Sequence, residues 1–321
     1  HAGAWEREEK TTVSGGCPKL LRSYGSTYYL FNMTGIKKVL ITGASGFIGS
    51  ALCEKILAEG WQVRGTVRSE SDVSRLPDGV KAFSIGSIDS DTKWDDALAG
   101  IDTVVHLAAR VHVMDDTCSD PLAEYRKVNV EGTKCLAYAA ANAGVKRFVF
   151  ISSIKVNGEG RSNPYTEMDK PEPQDPYAIS KWAGEQVLHD VEADTALEVV
   201  ILRPPLVYGP GVKANFLRLF KIVERGIPLP FAKIDNQRSF IYLNNMIDAI
   251  ITCINHPGAA GQTFLISDGE DVSTPELIRR IALALEKPAR LFSIPLFFNA
   301  TCRKTYGKVS SYRSAPWFTC D

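Results

Sequence analysis

A phenol and an ammonium group stand four residues apart in the chain, at Tyr177 and Lys181. Residues spaced i and i+4 lie on the same face of an α-helix, so this spacing predicts that the two groups are neighbours. A free phenol has a pKa of about 10 and is a poor base at neutral pH. A nearby ammonium lowers that pKa, so the pair could remove a proton from a substrate hydroxyl or return one. The same spacing also occurs on solvated helix faces, so the interpretation needs support from the rest of the chain.

A glycine-rich turn supplies that support. Gly43, Gly46 and Gly49 follow an apolar run at 38–42 with the spacing G-x-x-G-x-x-G. The first glycine allows a sharp turn out of a strand, the second lets the backbone approach a pyrophosphate, and the third lets the next helix pack closely on the sheet. The helix N-terminus then offers N–H groups and the positive end of its dipole to phosphates. The turn therefore predicts a dinucleotide site, and its place between a strand and a helix strengthens the prediction.

The elements that must hold these groups alternate along the chain. Apolar, β-rich runs predict strands at 38–42, 62–67, 81–85, 103–107, 147–152 and 198–202. Helical patterns between them predict helices at 46–59, 121–143 and 176–192. Alternation of this kind predicts an α/β fold, a Rossmann-type doubly wound parallel sheet with helices on both faces.

The regular alternation ends near residue 205 and gives way to shorter elements, which predicts a smaller C-terminal substrate lobe. A capping box, Ser273 with Glu276, begins a late helix that runs to about residue 286. The predicted boundaries are 33–205 for the dinucleotide-binding domain and 206–298 for the substrate lobe, with strands of the second segment returning to the Rossmann-type sheet. Residues 1–32 and 299–321 show neither helical nor strand periodicity, and we expect a non-native or disordered extension and an aberrant tail.

Composition narrows the function classes. Lysine plus arginine and aspartate plus glutamate each number 37, so no charge excess points to nucleic acid or an anionic membrane. The seven cysteines are scattered without a C-x-x-C pair, which predicts reduced thiols, a cytoplasmic location and no metal site. No apolar run approaches the length of a membrane span. His106 is interpreted as a packed residue at a strand end.

Seven motifs, in order, resemble those of the extended short-chain dehydrogenases/reductases, in the branch of nucleotide-sugar epimerases, dehydratases and reductases. They are TGASGFIG (42–49), HLAAR (106–110), NVEGT (129–133), FISS (150–153), YAISK (177–181), RPPLVYGPG (203–211) and RSFIY (238–242). The resemblance runs from about residue 37 to residue 296. Within the branch, the chain is similar to bacterial sequences of the UDP-glucose 4-epimerase kind.

The resemblance implies a catalytic set of Ser153, Tyr177 and Lys181. Ser153 would hydrogen-bond the substrate oxygen that Tyr177 deprotonates, and Lys181 would also hold the nicotinamide ribose. The predicted cofactor contacts are Gly43, Ser45, Gly46, Phe47, Ile48, Gly49, Arg68, Ile88, Leu107, Ala108, Ala109, Tyr177, Lys181 and Pro204.

One strand end bears on the choice of cofactor. Arg68 follows the 62–67 strand, where an acidic residue would grip the ribose hydroxyls of NAD. An arginine suits the 2′-phosphate of NADP instead, so NAD(P) is predicted with NADP favoured; an ordinary surface arginine is the alternative. The family pattern places Asp near position 87 to hold the adenine amine, but this chain has Ser87, with Asp89 two residues later.

On the substrate side, Arg238 resembles the residue that clamps the nucleotide diphosphate, for which a planar guanidinium is suited. Asn215 is predicted either to hydrogen-bond a phosphate or the sugar, or to cap a helix. Lys155 and Asn157 follow Ser153 closely and are predicted to face the sugar. Many epimerases carry tyrosine at the position of Asn157.

Two reactions therefore remain open at this stage. One is NAD(P)-dependent epimerisation at C4 of a UDP-linked sugar, and the other is NADPH-dependent reduction of a UDP-4-keto-6-deoxy sugar, which Arg68 and Asn157 favour. A non-catalytic NADP-binding module and a flavonoid- or steroid-type reductase are further alternatives. No nucleic acid partner or membrane insertion is expected, and the resemblance implies a homodimer built around the Tyr177 helix.

Overall fold

A parallel sheet forms the centre of the computed structural model, which describes residues 12–13, 37–111, 120–161 and 163–293. The strands are β1 Thr12–Val13, β2 Lys38–Thr42, β3 Gln62–Val67, β4 Lys81–Ser84, β5 Thr103–His106, β6 Arg147–Ile151, β7 Glu198–Arg203, β8 Leu206–Tyr208, β9 Arg238–Tyr242, β10 Gln262–Ser267 and β11 Asp271–Val272. The helices are α1 Phe47–Ala58, α2 Asp95–Leu98, α3 Pro121–Arg126, α4 Thr133–Asn142, α5 Pro176–Asp194, α6 Ala214–Glu224, α7 Leu243–Asn255 and α8 Thr274–Ala284.

The large sheet has the strand order β1-β10-β7-β6-β5-β2-β3-β4. The seven strands from β10 to β4 run parallel, while β1 pairs antiparallel with β10 at the edge. The chain moves outward from β2 through β3 to β4, then returns to β5 on the other side of β2. Ligands of open α/β sheets bind at the carboxyl edge of such a switch point, so the site is expected where β2 and β5 end.

Alternate residues of each inner strand face opposite helical layers. Val39 and Ile41 of β2 pack in one core with residues of α1 and α7, whereas Leu40 packs in a second core with residues of α2, α4 and α5. Both faces of the sheet are therefore covered, and the predicted doubly wound fold is confirmed. The predicted strands agree with the observed ones to within one residue at each end.

The helix predicted at 121–143 is present but interrupted. Between α3 and α4, residues Lys127–Gly132 form a turn of π-helix. A Cβ on Gly132 would lie 2.5 Å from the Ile88 side chain, so the turn presses directly on the loop after β4. Gly144 has φ of 79° just past α4, as expected for a left-handed C-terminal cap.

The substrate lobe has its own small sheet and core. Strand β8 pairs parallel with β9, which pairs antiparallel with β11. Phe216 and Leu219 of α6 and Ile278 and Ile281 of α8 pack together against this sheet. Between these pieces the chain returns to the main sheet through α7 and β10, so the lobe is made of two sequence segments.

The predictions for the two ends fall largely outside the described residues. Within the predicted extension, β1 is described as a two-residue strand on the sheet edge. Residues 299–321 lie outside the described ranges, and the predicted boundaries at 33, 205 and 298 stay predictions.

Candidate active site

The glycine turn joins β2 to α1 at the carboxyl edge of the sheet. Gly43 has φ of 70°, and a Cβ there would lie 3.0 Å from the backbone nitrogen of Ala108, so the turn approaches the loop after β5 closely. A Cβ on Gly49 would lie 2.2 Å from the Gly43 carbonyl oxygen. The third glycine therefore lets the helix pack closely on the turn itself.

The N-terminus of α1, like those of α2, α4, α6 and α7, has no side-chain cap. Asp120, Asp175 and Ser273 cap α3, α5 and α8 with side-chain oxygens. Gly46, at the same position before α1, provides no side-chain cap. The first N–H groups of a helix lack intrahelical acceptors, so this end suits an anionic ligand such as a pyrophosphate.

His106 holds β2 and β5 together beneath the turn. Its Nδ1 lies 2.7 Å from the Thr42 hydroxyl and its Nε2 lies 3.1 Å from the Thr133 hydroxyl. Burial lowers the imidazole pKa to about 3, with a smaller contribution from the charge of Lys181. The ring is therefore neutral at physiological pH, in agreement with its interpretation as a packed residue.

The other predicted cofactor residues flank the same edge. Arg68 is exposed directly after β3, and Pro204 follows β7, where its carbonyl accepts from the Ile154 N–H at 2.9 Å. Leu107, Ala108 and Ala109 follow β5, and Ser45, Phe47 and Ile48 belong to the glycine turn and the first turn of α1. The Ile88 side chain instead lies in the core against Gly132. A contact from Ile88 to a cofactor would have to come from its backbone.

Helix α5 carries the phenol and the ammonium. Asp175 begins the helix by accepting from the Ala178 N–H at 2.7 Å. Tyr177, in the first turn, is half-buried, and its ring meets that of Tyr125 edge-on, with ring centroids 6.3 Å apart. Lys181, one turn further, is 2 % exposed and donates from Nζ to the Ile151 carbonyl oxygen at 2.7 Å.

Burial lowers the pKa of the Lys181 ammonium to about 7, although the charge of Glu185 opposes the shift. The ammonium also lies 4.4 Å from the centroid of the Phe150 ring. The lysine is thus fixed at the carboxyl end of β6 by a carbonyl and an aromatic face.

Ser153 lies two residues beyond β6 and begins a short 3-10 turn, Ile154–Val156. Its hydroxyl oxygen accepts from the Lys155 N–H at 3.3 Å. The structure therefore brings Ser153, Tyr177 and Lys181 to the same edge of the sheet, beside the glycine turn between β2 and α1.

A buried ion pair lies one turn beyond Lys181. Glu185 is fully buried and accepts from Arg203 Nε at 3.0 Å and Nη2 at 2.5 Å. The Ser152 hydroxyl donates to the same carboxylate. This ion pair joins α5 to the ends of β6 and β7, the strands that carry Ser153 and Pro204.

Two predicted substrate residues are engaged with the protein instead. Asn157 is 2 % exposed; its Nδ2 donates to the Thr166 carbonyl at 3.1 Å and its Oδ1 accepts from Arg203 at 3.0 Å. This geometry gives Asn157 a structural role and does not support the predicted contact with a sugar. The Lys155 ammonium likewise contacts Asp175, at 2.7 Å.

The other two predicted substrate residues lie in the substrate lobe. Asn215 lies in the first turn of α6 and is half-buried, but Lys213 occupies the cap position, so Asn215 is not the helix cap. Arg238 begins β9, close enough to Glu159 for its charge to act on the Glu159 carboxyl.

Sequence reasoning missed three supporting residues: Asn129, Asp175 and Glu185. Asn129, in the π-turn, is buried and binds both backbone polar groups of Arg110, with its Oδ1 accepting at 2.8 Å and its Nδ2 donating at 3.0 Å. It also donates to the Ser180 hydroxyl at 2.9 Å, linking the loop after β5 to α5. The Asp-Pro pairs before α3 and α5 are cap signals that could have revealed Asp175.

Other site classes find no support in the described part of the chain. Among those residues, no group of three or more histidine, cysteine, aspartate or glutamate side chains could hold a metal ion. No described helix is long and apolar enough to cross a membrane.

Comparison with known proteins adds independent information. The model of the NAD dependent epimerase/dehydratase family matches residues 39–267. The chain is 46% identical over 277 residues to a UDP-glucose 4-epimerase of Vibrio cholerae, covering 85% of this chain and 82% of the relative.

Solved structures of similar proteins share the fold. The structure of MoeE5 in complex with UDP-glucose and NAD matches with a TM-score of 0.69 and 30% identity, covering 80% of this chain and 85% of that one. The UDP-glucuronic acid 4-epimerase of Bacillus cereus in complex with NAD matches with a TM-score of 0.69 and 27% identity, over 80% and 87% of the two chains.

Proposed function

The chain belongs to the NAD-dependent epimerase/dehydratase family, and on that premise we propose that it inverts C4 of a UDP-linked hexose with NAD(P) as its cofactor. The observation that carries the proposal is that Ser153, Tyr177 and Lys181 lie at the same carboxyl edge of the sheet as the glycine turn. The identity with a UDP-glucose 4-epimerase supports the choice of reaction and of substrate class.

In this proposal the reacting proton passes through Tyr177. The phenolate form of Tyr177 removes the proton of the sugar 4-hydroxyl, and the Ser153 hydroxyl donates a hydrogen bond to the same oxygen. Lys181 stabilises the phenolate through its charge. The sugar then turns so that its opposite face is toward the cofactor. Tyr177 acts as the acid that returns the proton. Bound NAD(P) supplies the hydride acceptor and donor.

The residues around the glycine turn fit such a cofactor. The uncapped N-terminus of α1 would hold the pyrophosphate, and the close approach of Gly43 to Ala108 keeps side chains out of that space. Lys181 would donate to the nicotinamide ribose. Arg238 would clamp the diphosphate of the substrate from the opposite lobe.

A second candidate reaction is the NADPH-dependent reduction of a UDP-4-keto-6-deoxy sugar. The exposed side chain of Arg68 at the end of β3 favours it, because a guanidinium there suits the 2′-phosphate of NADP. Asp72, in the segment that follows Arg68, pairs with Arg75 at 3.1 Å, and the charge of Arg68 also helps to lower the pKa of the Asp72 carboxyl. NADP preference is accordingly part of this proposal.

Cofactor release separates the two reactions. The purified protein is denatured, and the released nucleotide is identified and assayed with each substrate. Bound NAD with interconversion of UDP-glucose and UDP-galactose supports epimerisation. Consumption of NADPH with a UDP-4-keto-6-deoxy sugar, without such interconversion, contradicts epimerisation and supports reduction.

The role of Tyr177 is tested by Tyr177→Phe, which should lower kcat by about 10²- to 10⁴-fold and leave cofactor binding unchanged. Tyr138→Phe is the matched control because it removes a phenol hydroxyl that donates to a surface carboxylate, Asp194, at 2.9 Å. Normal turnover by Tyr177→Phe would refute the assignment. A homodimer and a cytoplasmic location stay predictions. Light scattering of the purified protein would test the first.

A further inference from the structure

One carboxylate serves two purposes at the start of α5. Asp175 Oδ1 accepts from the Ala178 N–H at 2.7 Å and so caps the helix that carries Tyr177. Its other oxygen, Oδ2, accepts from the Lys155 ammonium, also at 2.7 Å. The side chain thus fixes the first turn of α5 and, at the same time, binds a residue from a different segment.

That segment is the 3-10 turn that begins at Ser153. The Lys155 N–H donates to the Ser153 hydroxyl oxygen at 3.3 Å, and the Ile154 N–H anchors the turn to Pro204 at 2.9 Å. Lys155 is therefore bound to Ser153 through its backbone and to Asp175 through its side chain. The ion pair bridges the two segments that present Ser153 and Tyr177.

The ion pair is partly shielded from solvent. The side chains of Lys155 and Asp175 are 19% and 31% exposed, and Glu159 Oε1 lies 3.8 Å from the Lys155 ammonium. Burial raises the pKa of the Glu159 carboxyl, as does Asp175, while Lys155 and Arg238 oppose the rise. Burial acts in the same direction on Asp175, but Lys155 and the Ala178 N–H outweigh it and hold its pKa below the usual range.

These contacts give the two carboxylates different roles. Asp175 stays ionised and keeps its bond to Lys155 at neutral pH, whereas Glu159 takes up a proton first as the pH falls. Glu159, from the segment of Lys155, faces the ion pair, and the charge of Arg238, from β9 of the substrate lobe, acts on Glu159.

We propose that the Lys155–Asp175 ion pair is a positioning device that fixes the Ser153 hydroxyl in place relative to the Tyr177 phenol. Lys155 therefore acts on catalysis through Asp175. The proposal rests on the proposed function of Ser153 and Tyr177. It replaces the predicted contact between Lys155 and the sugar, because the ammonium is directed to the helix cap.

The test compares matched variants. Lys155→Met keeps the backbone bond to Ser153 and removes the ammonium, Lys155→Arg restores a cation, and Asp175→Asn keeps a capping oxygen but loses the charge. Asp120→Asn is the control, since the sequence Asp120-Pro-Leu-Ala repeats the pattern at 175–178 and Asp120 caps α3 through the Ala123 N–H at 3.1 Å.

We expect kcat to fall about 10- to 100-fold in Lys155→Met and in Asp175→Asn, with KM changed less than about threefold, because misplacement of a reacting group lowers the rate more than binding. The double variant should be no slower than the worse single variant, and Lys155→Arg should recover most of the rate. Asp120→Asn should keep wild-type kcat. A rise in KM with unchanged kcat would overturn the proposal and return Lys155 to substrate binding.

Hydrogen exchange supplies a readout that does not need turnover. Amides of residues 153–158 should exchange faster in Lys155→Met and Asp175→Asn than in the wild type, and at the wild-type rate in Asp120→Asn. Unchanged exchange in the first two variants would refute the docking of the turn on α5. If the wild-type protein converts neither UDP-glucose nor a UDP-4-keto-6-deoxy sugar, the proposed function fails, and exchange alone decides whether the ion pair docks the turn.

Discussion

Removal of one charge from the Glu185–Arg203 ion pair should destabilise the protein more than any surface ion pair could. The perturbation is Glu185→Gln, which keeps the shape of the side chain. Glu185 is fully buried and Arg203 is 4 % exposed, so neither charge is solvated in the folded protein. The substitution would leave the guanidinium buried without a counter-charge.

The magnitude follows from the hydrogen bonds. Glu185 accepts two bonds from Arg203 and one from Ser152. A glutamine retains one accepting oxygen, but its NH₂ group would face a donor. Breaking a buried ion pair by removing one partner costs about 3–5 kcal/mol, and the retained acceptor places this variant near the lower limit, about 3 kcal/mol. For a chain of this size, that corresponds to a fall in Tm of about 4–5 °C.

The assay is urea denaturation of the wild type and the variant, followed by fluorescence, with thermal melting as a second measurement. The control is Glu270→Gln. Glu270 also forms a two-bond contact with an arginine, Arg280, but the two side chains are 51% and 42% exposed. Exposed ion pairs contribute about 0–1 kcal/mol, so the control should unfold almost as the wild type does.

A result below about 1 kcal/mol for Glu185→Gln, equal to the control, would refute the reasoning. It would mean that Arg203 finds another partner or that water reaches it. Ser152→Ala provides an independent measurement because it removes the hydroxyl donor to the same carboxylate and should cost about 1–3 kcal/mol.

Three further predictions concern the same edge of the sheet. Burial lowers the pKa of Lys181 to about 7, so in the cofactor-free protein stability should rise with pH between about 7 and 10.5, and Lys181→Met should abolish this rise in denaturation experiments. The pKa of His106 is lowered to about 3, so stability should fall as the pH drops from about 6.5 to 3, and His106→Gln should flatten that part of the profile. Gly49→Ala should abolish cofactor binding measured by fluorescence, since a Cβ would lie 2.2 Å from the Gly43 carbonyl, whereas Gly46→Ala, at 3.1 Å, should weaken it less.

The central strands of the sheet, β2, β5, β6 and β7, could be predicted from the sequence because they are buried on both faces. Such strands are continuous apolar runs, and their ends are set by glycine turns and helix caps that are also visible in the sequence. The interruption between α3 and α4 could not be predicted, because it depends on contacts distant in sequence. The π-turn lies against Ile88 on one side, and a Cβ on Gly184 of α5 would lie 2.7 Å from the Asn129 carbonyl.

The candidate site likewise has parts that local sequence predicts and parts that depend on contacts distant in sequence. Backbone-defined parts, the glycine turn and the i, i+4 spacing of Tyr177 and Lys181, were predictable because geometry follows from local sequence. The direction of a polar side chain was not predictable for Asn157, which turns to Thr166 and Arg203, residues 9 and 46 positions away. Proximity to Ser153 in the sequence suggested a sugar contact, but the buried charge of Arg203 required an acceptor.

Three residues on one face of α5 link the catalytic phenol to a buried ion pair that stabilises the fold. Tyr177, Lys181 and Glu185 follow one another at successive turns, and their exposure falls from half-buried to 2 % to zero. Burial lowers the pKa of the Lys181 ammonium to about 7, against the opposing charge of Glu185. The Glu185–Arg203 ion pair fixes the helix against the ends of β6 and β7. Since the shared face is continuous, a change at its buried end should reach the phenol through Lys181, and effects on stability and rate can be separated only by measuring both.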